Sequence, residues 1–512
     1  MIISKERQQL ILPINPAILE TIPHAKEFKF NGKQLVAVNH GVDEVRVLRN
    51  LGLQAPSPIE YYYDWPGRFP PRKHQRETAA FFTSYPRVVC LNAPGTGKTL
   101  SALWAADYLL STQAIKNVLI IAPLSTLKVV WGKEIIWHFP HRKFNIVTGQ
   151  RAKRERLILD EKAQFCIINH DGFSTMPDIF NRFDLVIYDE VTAMKNPSTR
   201  RFKLFSRFMR NYTPRLWAMT GTPITDNPPD VWPVSALLGC SVLPRSYTQF
   251  KEITMQRVSP FRWIPRENAL DICKQVLKPS IRFSLEECTD LPLLTYVDRE
   301  CELTEEQQDA YDELKATAEI AGHDISAANA AVLYSKLLQV CCGVAYDSDK
   351  KDVLFDDKNR VDTLIELLEE IGDKAIVFVP LRNVQSRLVN LLIKENYDTA
   401  EVHGGVTGKK RNEIFDLFQN SDNIKVLVAH PRVASHGLDL TRSKNIIWYA
   451  PYPSLEAYEQ ANARIRRLSS KAGKTMVHHI VSTNFERSIY KRLQERKKVL
   501  TNFLSLMKGM NE

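Results

Sequence analysis

The stretch Val88-Val89-Cys90-Leu91-Asn92-Ala93-Pro94-Gly95-Thr96-Gly97-Lys98-Thr99 decides how the middle of this sequence folds. Its first four residues are apolar, which is typical of a strand that is buried on both faces. The glycine-rich residues come next, and a helical run from Leu100 to Leu110 follows them. A strand, a glycine-rich loop and a helix start place backbone N–H groups and the positive helix end around a phosphate chain. The sequence therefore predicts a nucleotide-phosphate site here.

The loop fits the end of the general pattern G-x-x-x-x-G-K-[ST], whereas Asn92 occupies the position of its first glycine. Lys98 is expected to reach the outer phosphates, and the Thr99 hydroxyl is expected to bind Mg²⁺. The other predicted nucleotide contacts of this loop are Pro94, Gly95, Thr96, Gly97 and Leu100.

Short apolar runs alternate with helical patterns from about residue 72 onward. Because such runs separated by helices imply βαβ units with a parallel sheet, the predicted fold class is α/β. We expect two parallel-sheet lobes with helical insertions and a small α+β module at the N-terminus. Residues 240–355 lose the alternation and are predicted to be mostly helical. The apolar runs are residues 88–91, 118–121, 165–168, 185–188, 375–379, 425–428 and 445–449.

The predicted domains follow this change of pattern. They are an accessory module (1–65), a first lobe with the ATP-binding loop (66–285), a helical insertion or linker (286–355), and a second lobe with a basic C-terminal helix (356–512).

The accessory module has its own local signals. Asn31-Gly32 lies between two runs of strand-forming residues, which predicts a tight hairpin turn. Residues 42–51 are predicted to form a short helix that stops at Gly52. The proline-rich residues 55–71 are predicted to be a linker.

Composition narrows the class of protein. Of 512 residues, 44% are hydrophobic and 25% are charged, the balance of a soluble globular protein. A net charge of +11 favours a polyanionic partner. No apolar run approaches the ~20 residues that span a bilayer, so no membrane association is predicted. The eight cysteines include no Cys-x-x-Cys pair, which indicates reduced thiols in a cytoplasmic protein rather than a disulfide framework or zinc site.

Charged residues elsewhere could complete a hydrolytic site. Asp189-Glu190 follows the apolar run 185–188, so Asp189 can hold Mg²⁺ and Glu190 can deprotonate an attacking water. A solvated acidic pair is the alternative, and the phosphate loop weighs against it. Arg464 and Arg467, three residues apart, would share a helix face and could stabilise charge on a transferred phosphoryl group. Taken alone, a solvated basic helix is the preferred interpretation of these two arginines.

The ordered set of motifs resembles a superfamily-two helicase motor of the Swi/Snf type, over about residues 70–500. The resemblance rests on the order and spacing of the segments 71–75, 92–99, 121–127 with Trp131, 189–196, 220–223, 336–341, 403–405 with Arg411, 435–441 and 460–467. It implies two RecA-like lobes, ATP and Mg²⁺ as ligands, and duplex or branched DNA as a sequence-nonspecific partner. Arg464 and Arg467 occupy the arginine-finger positions.

The resemblance also assigns residues to the two ligands. The nucleotide contacts that it adds to the phosphate loop are Arg72, Gln75, Gly437, Asp439 and Gln460. The implied nucleic-acid contacts are Ser125, Trp131, Lys195, Asn196, Thr222, His403, Gly404, Arg411 and Thr441. The sequence departs from the family pattern at Asn92, Val191-Thr192, Ala434-Ser435 and Ala463, and none of these departures removes a catalytic group.

Residues 464–498 contain eleven Lys or Arg and two Glu residues, so they account for nine of the net charge of +11. Phe485, Ile489 and Leu493 recur every fourth residue, so one face of a helix is expected to pack on the second lobe. The opposite basic face fits either phosphate contact or simple solvation.

The leading hypothesis is a DNA-dependent ATPase that moves on duplex DNA and remodels branched structures, by fork regression or branch migration, or displaces bound proteins. A motor that acts on RNA polymerase is a second possibility. An ATP-gated DNA clamp without motor activity is the alternative from another class, and the presence of Glu190 and both arginines argues against it. A nuclease-coupled restriction subunit is a third alternative, and the absence of a convincing metal-nuclease cluster from the sequence argues against it. A monomer is expected.

Overall fold

The computed structural model describes residues 1–259, 262–288, 294–320, 327–346, 352–434, 440–466 and 474–508. The chain forms two compact units, the first made of residues 1–284 and 502–512 and the second of residues 285–501.

The first unit begins with a small antiparallel sheet, whose strand order is β1-β2-β4-β3. Asn31 and Gly32 join its last two strands with φ values of 48° and 77°, which confirms the predicted tight turn. The predicted helix is present as well and ends just before Gly52. The elements are β1 (Ile2–Ser4), β2 (Gln9–Pro13), α1 (Pro16–Thr21), β3 (Lys26–Phe30), β4 (Lys33–Asn39) and α2 (Val42–Asn50).

The rest of the first unit is built on a parallel seven-stranded sheet, as the buried apolar runs predict. Its elements are α3 (Ile59–Tyr62), α4 (Lys73–Ser84), β5 (Arg87–Cys90), α5 (Lys98–Ser111), β6 (Val118–Ala122), α6 (Lys133–His138), β7 (Phe144–Ile146), α7 (Arg151–Ile158), β8 (Phe165–Asn169), α8 (His170–Thr175), β9 (Leu185–Asp189), α9 (Arg200–Tyr212), β10 (Arg215–Met219), α10 (Trp232–Leu238), α11 (Tyr247–Thr254), β11 (Met255–Ser259), β12 (Arg262–Pro265), α12 (Ala269–Val276) and β13 (Ser280–Ile281). The strand order is β13-β5-β10-β9-β6-β8-β7.

Residues 55–66 are a packed part of this lobe, so the prediction of a linker over 55–71 is wrong for most of that segment. Ala55 and Ile59 are buried. The Tyr63 hydroxyl donates to Asp107 Oδ2 at 2.5 Å, and Trp104 Nε1 donates to the carbonyl of Pro66 at 2.8 Å. The aromatic residues between the prolines bury apolar area against α5, which a solvated linker cannot do.

The second unit contains a six-stranded parallel sheet in the order β14-β21-β20-β17-β19-β18. Its elements are α13 (Leu285–Cys288), β14 (Leu294–Glu300), α14 (Glu305–Ile320), α15 (Ala327–Cys341), β15 (Val344–Tyr346), β16 (Asp352–Leu354), α16 (Lys358–Ile371), β17 (Ala375–Phe378), α17 (Arg382–Lys394), β18 (Thr399–Val402), α18 (Gly408–Asn420), β19 (Val426–Ala429), α19 (Pro431–Ala434), β20 (Asn445–Trp448), α20 (Leu455–Asn462), β21 (Thr475–Val481) and α21 (Asn484–Lys508). Two parallel sheets with flanking helices confirm the predicted fold class.

Residues 240–355 are not mostly helical throughout, because several strands interrupt them. Strands β11 and β12 form a hairpin in the first unit, and β15 and β16 form another in the second. Strand β14 is the edge of the six-stranded sheet and pairs in parallel with β21. The helical insertion predicted at 286–355 therefore contains a strand of the second sheet, and the domain boundaries themselves stay predictions.

A buried ion pair anchors the long C-terminal helix to the second sheet. Arg360 on α16 and Glu486 on α21 lie 2.7 Å apart, with side chains 1% and 0% exposed. Arg360 also donates to the Tyr449 carbonyl and to Ser482 Oγ. Glu486 Oε2 accepts the backbone N–H of Ser482 at 2.8 Å. The two charges are compensated by each other and by hydrogen bonds, which a buried pair requires.

Two other sequence expectations concern membranes and cysteine chemistry. In the described part of the chain, no helix combines the length and apolarity needed to cross a bilayer. All eight cysteines are free thiols, as predicted. Burial raises the pKa of Cys90 to about 11 and that of Cys166 to about 12, so these two remain protonated near neutral pH.

We expect the second unit to lose stability in mild acid because of His478. This side chain is 1% exposed, and burial, aided by the Arg299 charge, lowers its pKa to about 4. Since the folded pKa is below the unfolded value of about 6.5, the unfolded chain binds more protons as the pH falls from about 6.5 towards 4. The free energy of unfolding should drop by about 2 kcal/mol between pH 7 and 5 from this group alone. Urea titrations of the parent and the His478→Phe variant at both pH values would measure it, and an equal pH dependence in the two proteins would contradict the assignment.

Candidate ATP-binding site

The carboxyl ends of three neighbouring strands meet at one edge of the seven-stranded sheet. Met219 of β10 is in register with Cys90 of β5 on one side and with Asp189 of β9 on the other. All three strands are parallel, so the loops that leave them start side by side. With neighbouring strands about 4.8 Å apart, the backbones of Cys90 and Asp189 are about 10 Å apart. Crevices at this end of parallel strands are the usual ligand sites of open α/β sheets.

The loop after β5 has the backbone that its glycines permit. Gly95 and Gly97 have φ values of 86° and 82°, in the left-handed region that side chains disfavour. Lys98 begins α5, and its Nζ donates to the carbonyl of Asn92 at 2.8 Å, so the ammonium lies across the loop. Residues 94, 95 and 97–100 are half-buried, whereas Thr96 is buried. The glycine-rich loop therefore leads directly into a helix start, and its binding of phosphate stays a prediction.

The first turn of α4 is packed against this loop. His74 Nε2 lies 2.9 Å from the Thr96 carbonyl, and burial lowers the pKa of His74, so the neutral ring donates here. Gln75 Oε1 accepts the backbone N–H of Arg72 at 2.9 Å. A Cβ at Gly97 would stand 2.2 Å from Gln75 Nε2, so the amide fills the space beside this glycine. The structure brings Gln75 and Arg72 to the loop, and their contact with adenine remains a prediction.

The Asn92 side chain makes hydrogen bonds that hold the loop to two other segments of the lobe. Its Nδ2 donates to Thr78 Oγ1 at 2.9 Å, and its Oδ1 accepts the backbone N–H of Phe283 at 2.8 Å. The side chain thus ties the loop to α4 and to the segment after β13. A glycine at this position could make neither bond. Sequence reasoning noted the departure from the pattern but could not identify these partners, which are distant in the chain.

Asp189 is the last residue of β9 and Glu190 follows it, and two neighbouring aromatic side chains bond to Asp189. Trp131 Nε1 donates to Asp189 Oδ2 at 3.1 Å. His170 Nε2 lies 2.9 Å from the Asp189 carbonyl and its ring stacks on Tyr188. Burial lowers the pKa of His170 to about 4, so the ring is neutral and donates this hydrogen bond. Glu190 has a left-handed backbone, with φ 52° and ψ 59°, a strained conformation for a side chain of this size.

The residues at the strand ends fit Mg²⁺ by their donor chemistry. Thr99 and Asp189 offer a hydroxyl and a carboxylate oxygen, which are hard ligands that this ion prefers. Both residues are half-buried, so water and phosphate oxygens can complete the shell. Bound there, the ion would neutralise phosphate charge. Among the described residues, no cluster of three His, Cys, Asp or Glu side chains forms a metal cage.

Trp131 and Thr222 do not lie where a nucleic-acid contact requires. Trp131 is fully buried, and its indole N–H is directed to Asp189. Thr222 is 3% exposed, and its neighbour Gly221 packs so closely on Pro94 that an added Cβ would meet the proline ring at 2.8 Å. The prediction that these two side chains contact DNA is wrong for this structure. Trp131 instead bonds to the strand-end residue Asp189.

Replacing Trp131 with phenylalanine should weaken magnesium-dependent ATP hydrolysis. The change removes the donor to Asp189 while it keeps an aromatic ring in the core. Loss of an outer partner of a metal ligand typically costs 10- to 100-fold in metal affinity or activity, so we expect the Mg²⁺ concentration for half-maximal turnover to rise by about 10-fold. Trp137, which is 37% exposed on α6, provides the matched control as Trp137→Phe. Equal Mg²⁺ titrations of the two variants would contradict the assignment.

The other predicted DNA contacts of the first unit differ in their exposure and in whether their charge is compensated. Ser125 is half-buried in the loop after β6, and Asn196 is exposed. The Lys195 ammonium donates to Asp226 Oδ2 at 2.6 Å and to Thr225 Oγ1 at 2.9 Å, so its charge is compensated within the lobe. No observation tests these contacts, and they stay predictions.

The described residues among those predicted for the second unit lie on different elements. His403 and exposed Gly404 come directly after β18, whereas Arg411 is on α18. Thr441 Oγ1 accepts the Gln419 amide at 3.3 Å. Gln460 is buried on α20, with its Nε2 3.5 Å from Glu456. Gly437, Asp439 and Arg467 lie outside the described residues.

Arg464 does not lie on an α-helix, contrary to the prediction that it shares a helix face with Arg467. Helix α20 ends at Asn462, a short 3₁₀ turn covers 463–465, and the backbone of Arg466 is extended, with φ −133° and ψ 104°. Arg464 is buried, and its carbonyl accepts the N–H of Leu440 at 3.2 Å. Arg466, which the sequence analysis did not single out, pairs with Glu286 at 2.7 Å. The catalytic assignment of Arg464 remains a prediction.

The C-terminal helix packs as its pattern indicates. Ile489 and Leu493 are buried, and Phe485 contacts Tyr334 edge-on at 5.2 Å. On the basic face, Arg487 pairs with Glu300 at 2.7 Å. At least this part of the basic face therefore has an acidic partner within the unit.

Comparison with known families and proteins agrees with this geometry. The family model of the SNF2-related domain matches residues 74–344, and that of the helicase conserved C-terminal domain matches residues 359–469. An uncharacterized ATP-dependent helicase of Mycoplasma genitalium is 24% identical over 421 residues, which cover 79% of this chain and 39% of that protein. The putative protein p41 of Acyrthosiphon pisum secondary endosymbiont phage 1 is 23% identical over 467 residues, covering 86% of this chain and 99% of the phage protein.

Among solved structures, the Sulfolobus solfataricus SWI2/SNF2 ATPase core in complex with dsDNA is 21% identical with a TM-score of 0.41. The match covers 87% of this chain and 96% of that one.

The SNF2-related model covers more than half of the chain, so the chain belongs to the SNF2 family. Together with the match to the helicase conserved C-terminal domain, this confirms the resemblance to a Swi/Snf-type helicase. The chain spans 39% of the length of the Mycoplasma protein, and nearly all of the phage protein.

Proposed function

We propose that this chain hydrolyses ATP in a DNA-dependent manner and uses the cycle to move on duplex DNA. The observation that supports it best is that the phosphate loop and Asp189-Glu190 lie at the carboxyl ends of strands β5 and β9, which flank β10 in one parallel sheet. Gly95 and Gly97 permit the left-handed backbone of a loop whose N–H groups would surround a phosphate chain, and Lys98 would supply a positive charge. Asp189 and Thr99 hold Mg²⁺, and Glu190 accepts the proton of the attacking water.

The finer proposal is that movement remodels branched DNA, by fork regression or branch migration, or displaces bound proteins. It rests on the family resemblance, and its DNA contacts would be to phosphates and independent of sequence. Such contacts need only cations and hydrogen-bond donors, so affinity should fall steeply with salt.

ATP turnover with no DNA and with single-stranded, duplex and forked DNA tests the proposal. We expect duplex or forked DNA to raise turnover, and Lys98→Ala to abolish it because the charge on the outer phosphates is lost. A greater stimulation by forks than by plain duplex would support remodelling. Duplex binding with no stimulated turnover would overturn the motor and favour a clamp.

A further inference from the structure

Helix α9 carries a row of basic side chains that the ATP site does not use. Its thirteen residues include five basic residues and no acidic one. Four of the five are exposed at spacings of three, four and three residues, which places them within about 80° of the helix circumference. We name this row the α9 stripe; its members are Arg200, Lys203, Arg207 and Arg210.

The rest of α9 fixes the direction in which the stripe faces. Phe205 and Phe208 are buried and contact Phe173 edge-on at 5.3 and 5.4 Å. Thr199 Oγ1 caps the helix by accepting the N–H of Phe202 at 3.3 Å. Because the apolar side of the helix is held in the lobe, the stripe is held on the outside along its whole length.

The charges of the stripe are not neutralised by the protein. In the described part of the chain, none of its four side chains forms an ion pair, and the one hydrogen bond is from Arg210 to the Ser206 hydroxyl at 3.3 Å. By contrast, Arg201 of the same helix pairs with Asp171 at 2.6 Å. Like charges three and four residues apart destabilise a helix. The stripe places three such pairs in succession, which lowers the stability of the helix. Because a bound polyanion would neutralise this repulsion, the arrangement points to a polyanion as the partner of the stripe.

The dimensions of the stripe match a nucleic-acid backbone. Ten residues separate Arg200 from Arg210, which is about 15 Å along the helix axis. One strand of a duplex presents a phosphate about every 3.4 Å of axis, so the stripe spans about four phosphates. The helix also starts just after Asn196, whose carbonyl accepts the Thr199 hydroxyl. Asn196 is one of the nucleic-acid contacts that the family resemblance implies.

We infer that the α9 stripe is an additional duplex-DNA contact, which binds the phosphate backbone outside the helicase motifs. This rests on the proposed function and extends the DNA footprint along the flank of the first lobe. Its four cations would contact phosphates of one strand without reading bases.

The test compares two full-length variants that lose the same charge. One carries Arg200→Gln, Lys203→Gln, Arg207→Gln and Arg210→Gln. The control carries Lys116→Gln, Lys162→Gln, Lys358→Gln and Lys394→Gln, at exposed positions outside α9. Affinity for a blunt duplex of about 30 base pairs, roughly three helical turns, is measured by fluorescence anisotropy over a range of salt concentrations.

The stripe variant should bind the duplex at least about 10-fold more weakly at low salt, with a slope of log affinity against log salt smaller by about 3. The control variant should keep the parent slope to within about 1. Turnover without DNA should be unchanged, and the thermal midpoint should be equal or higher because the like-charge pairs are gone.

Equal slopes in the two variants, with normal duplex binding by the parent, would overturn the α9 contact alone. A parent chain that hydrolyses ATP but binds no duplex would overturn the proposed DNA motor as well. A stripe variant that loses single-stranded but not duplex binding would also overturn the inference, since it would show a different nucleic-acid partner.

Discussion

Replacing Glu190 with glutamine should reduce ATP turnover by about 100- to 10,000-fold, the usual contribution of a general base, while ATP still binds. The amide keeps the size of the side chain and the left-handed backbone that presents it, so only proton acceptance is lost. Asp189 remains in place because Trp131 and His170 hold it independently of Glu190. Steady-state hydrolysis and equilibrium nucleotide binding measure the two effects separately.

Asp171→Asn provides the matched control for this experiment. Asp171 also lies just beyond the end of a parallel strand of the same sheet, but its partner is Arg201 and its side chain is 80% exposed. We expect hydrolysis in this variant to stay within about twofold of the parent, as is usual for exposed positions. Parent-like turnover in Glu190→Gln would show that another group accepts the proton.

Replacing Glu486 with alanine should destabilise the second unit by about 3–5 kcal/mol, because Arg360 would keep its charge in the core without a counter-ion. Burial of the pair is nearly complete, with side chains 1% and 0% exposed. The control is Glu370→Ala, which removes the half-exposed partner of Arg299 and should cost less than about 1 kcal/mol. Urea titrations of each variant give the free energies of unfolding.

A double variant distinguishes a buried charge from a lost contact. Arg360→Met with Glu486→Leu removes both charges and fills most of the volume, so much of the stability should return. If the double variant were less stable than Glu486→Ala, the hydrogen bonds to Ser482 and Tyr449 would be more important than the charges.

The parallel sheets could be predicted from the sequence because their strands are buried on both faces. The run 185–188, for example, lies within β9 and is buried at every position. Edge strands lack this signal: β14 has no fully buried residue, and it was missed within a segment predicted to be helical. Local turn chemistry was equally informative, since Asn31-Gly32 could adopt the positive φ values of its turn.

The parts of the site that depend on a local sequence motif were predicted, whereas contacts between residues distant in the chain were missed. Lys98 and the glycines of the loop are recognisable from their spacing alone. The bond from Trp131 to Asp189 joins residues 58 positions apart, and no periodicity indicates it. Arg464 was predicted to lie on a helix, whereas α20 ends two residues before it, at Asn462. A short helix near its C-terminus has no sharp boundary in sequence.

The packing of residues 55–66 fixes where the ATPase lobe can be shortened. Ser57 bonds to Thr83 on α4 at 3.1 Å, and Tyr63 and Pro66 bond to α5, the helix that Lys98 begins. A deletion of residues 1–65, the predicted accessory module, would remove Ser57 and Tyr63. Helices α4 and α5, which border the phosphate loop, would then each lose a hydrogen-bond partner. A minimal fragment that retains nucleotide binding must therefore start at or before Ala55.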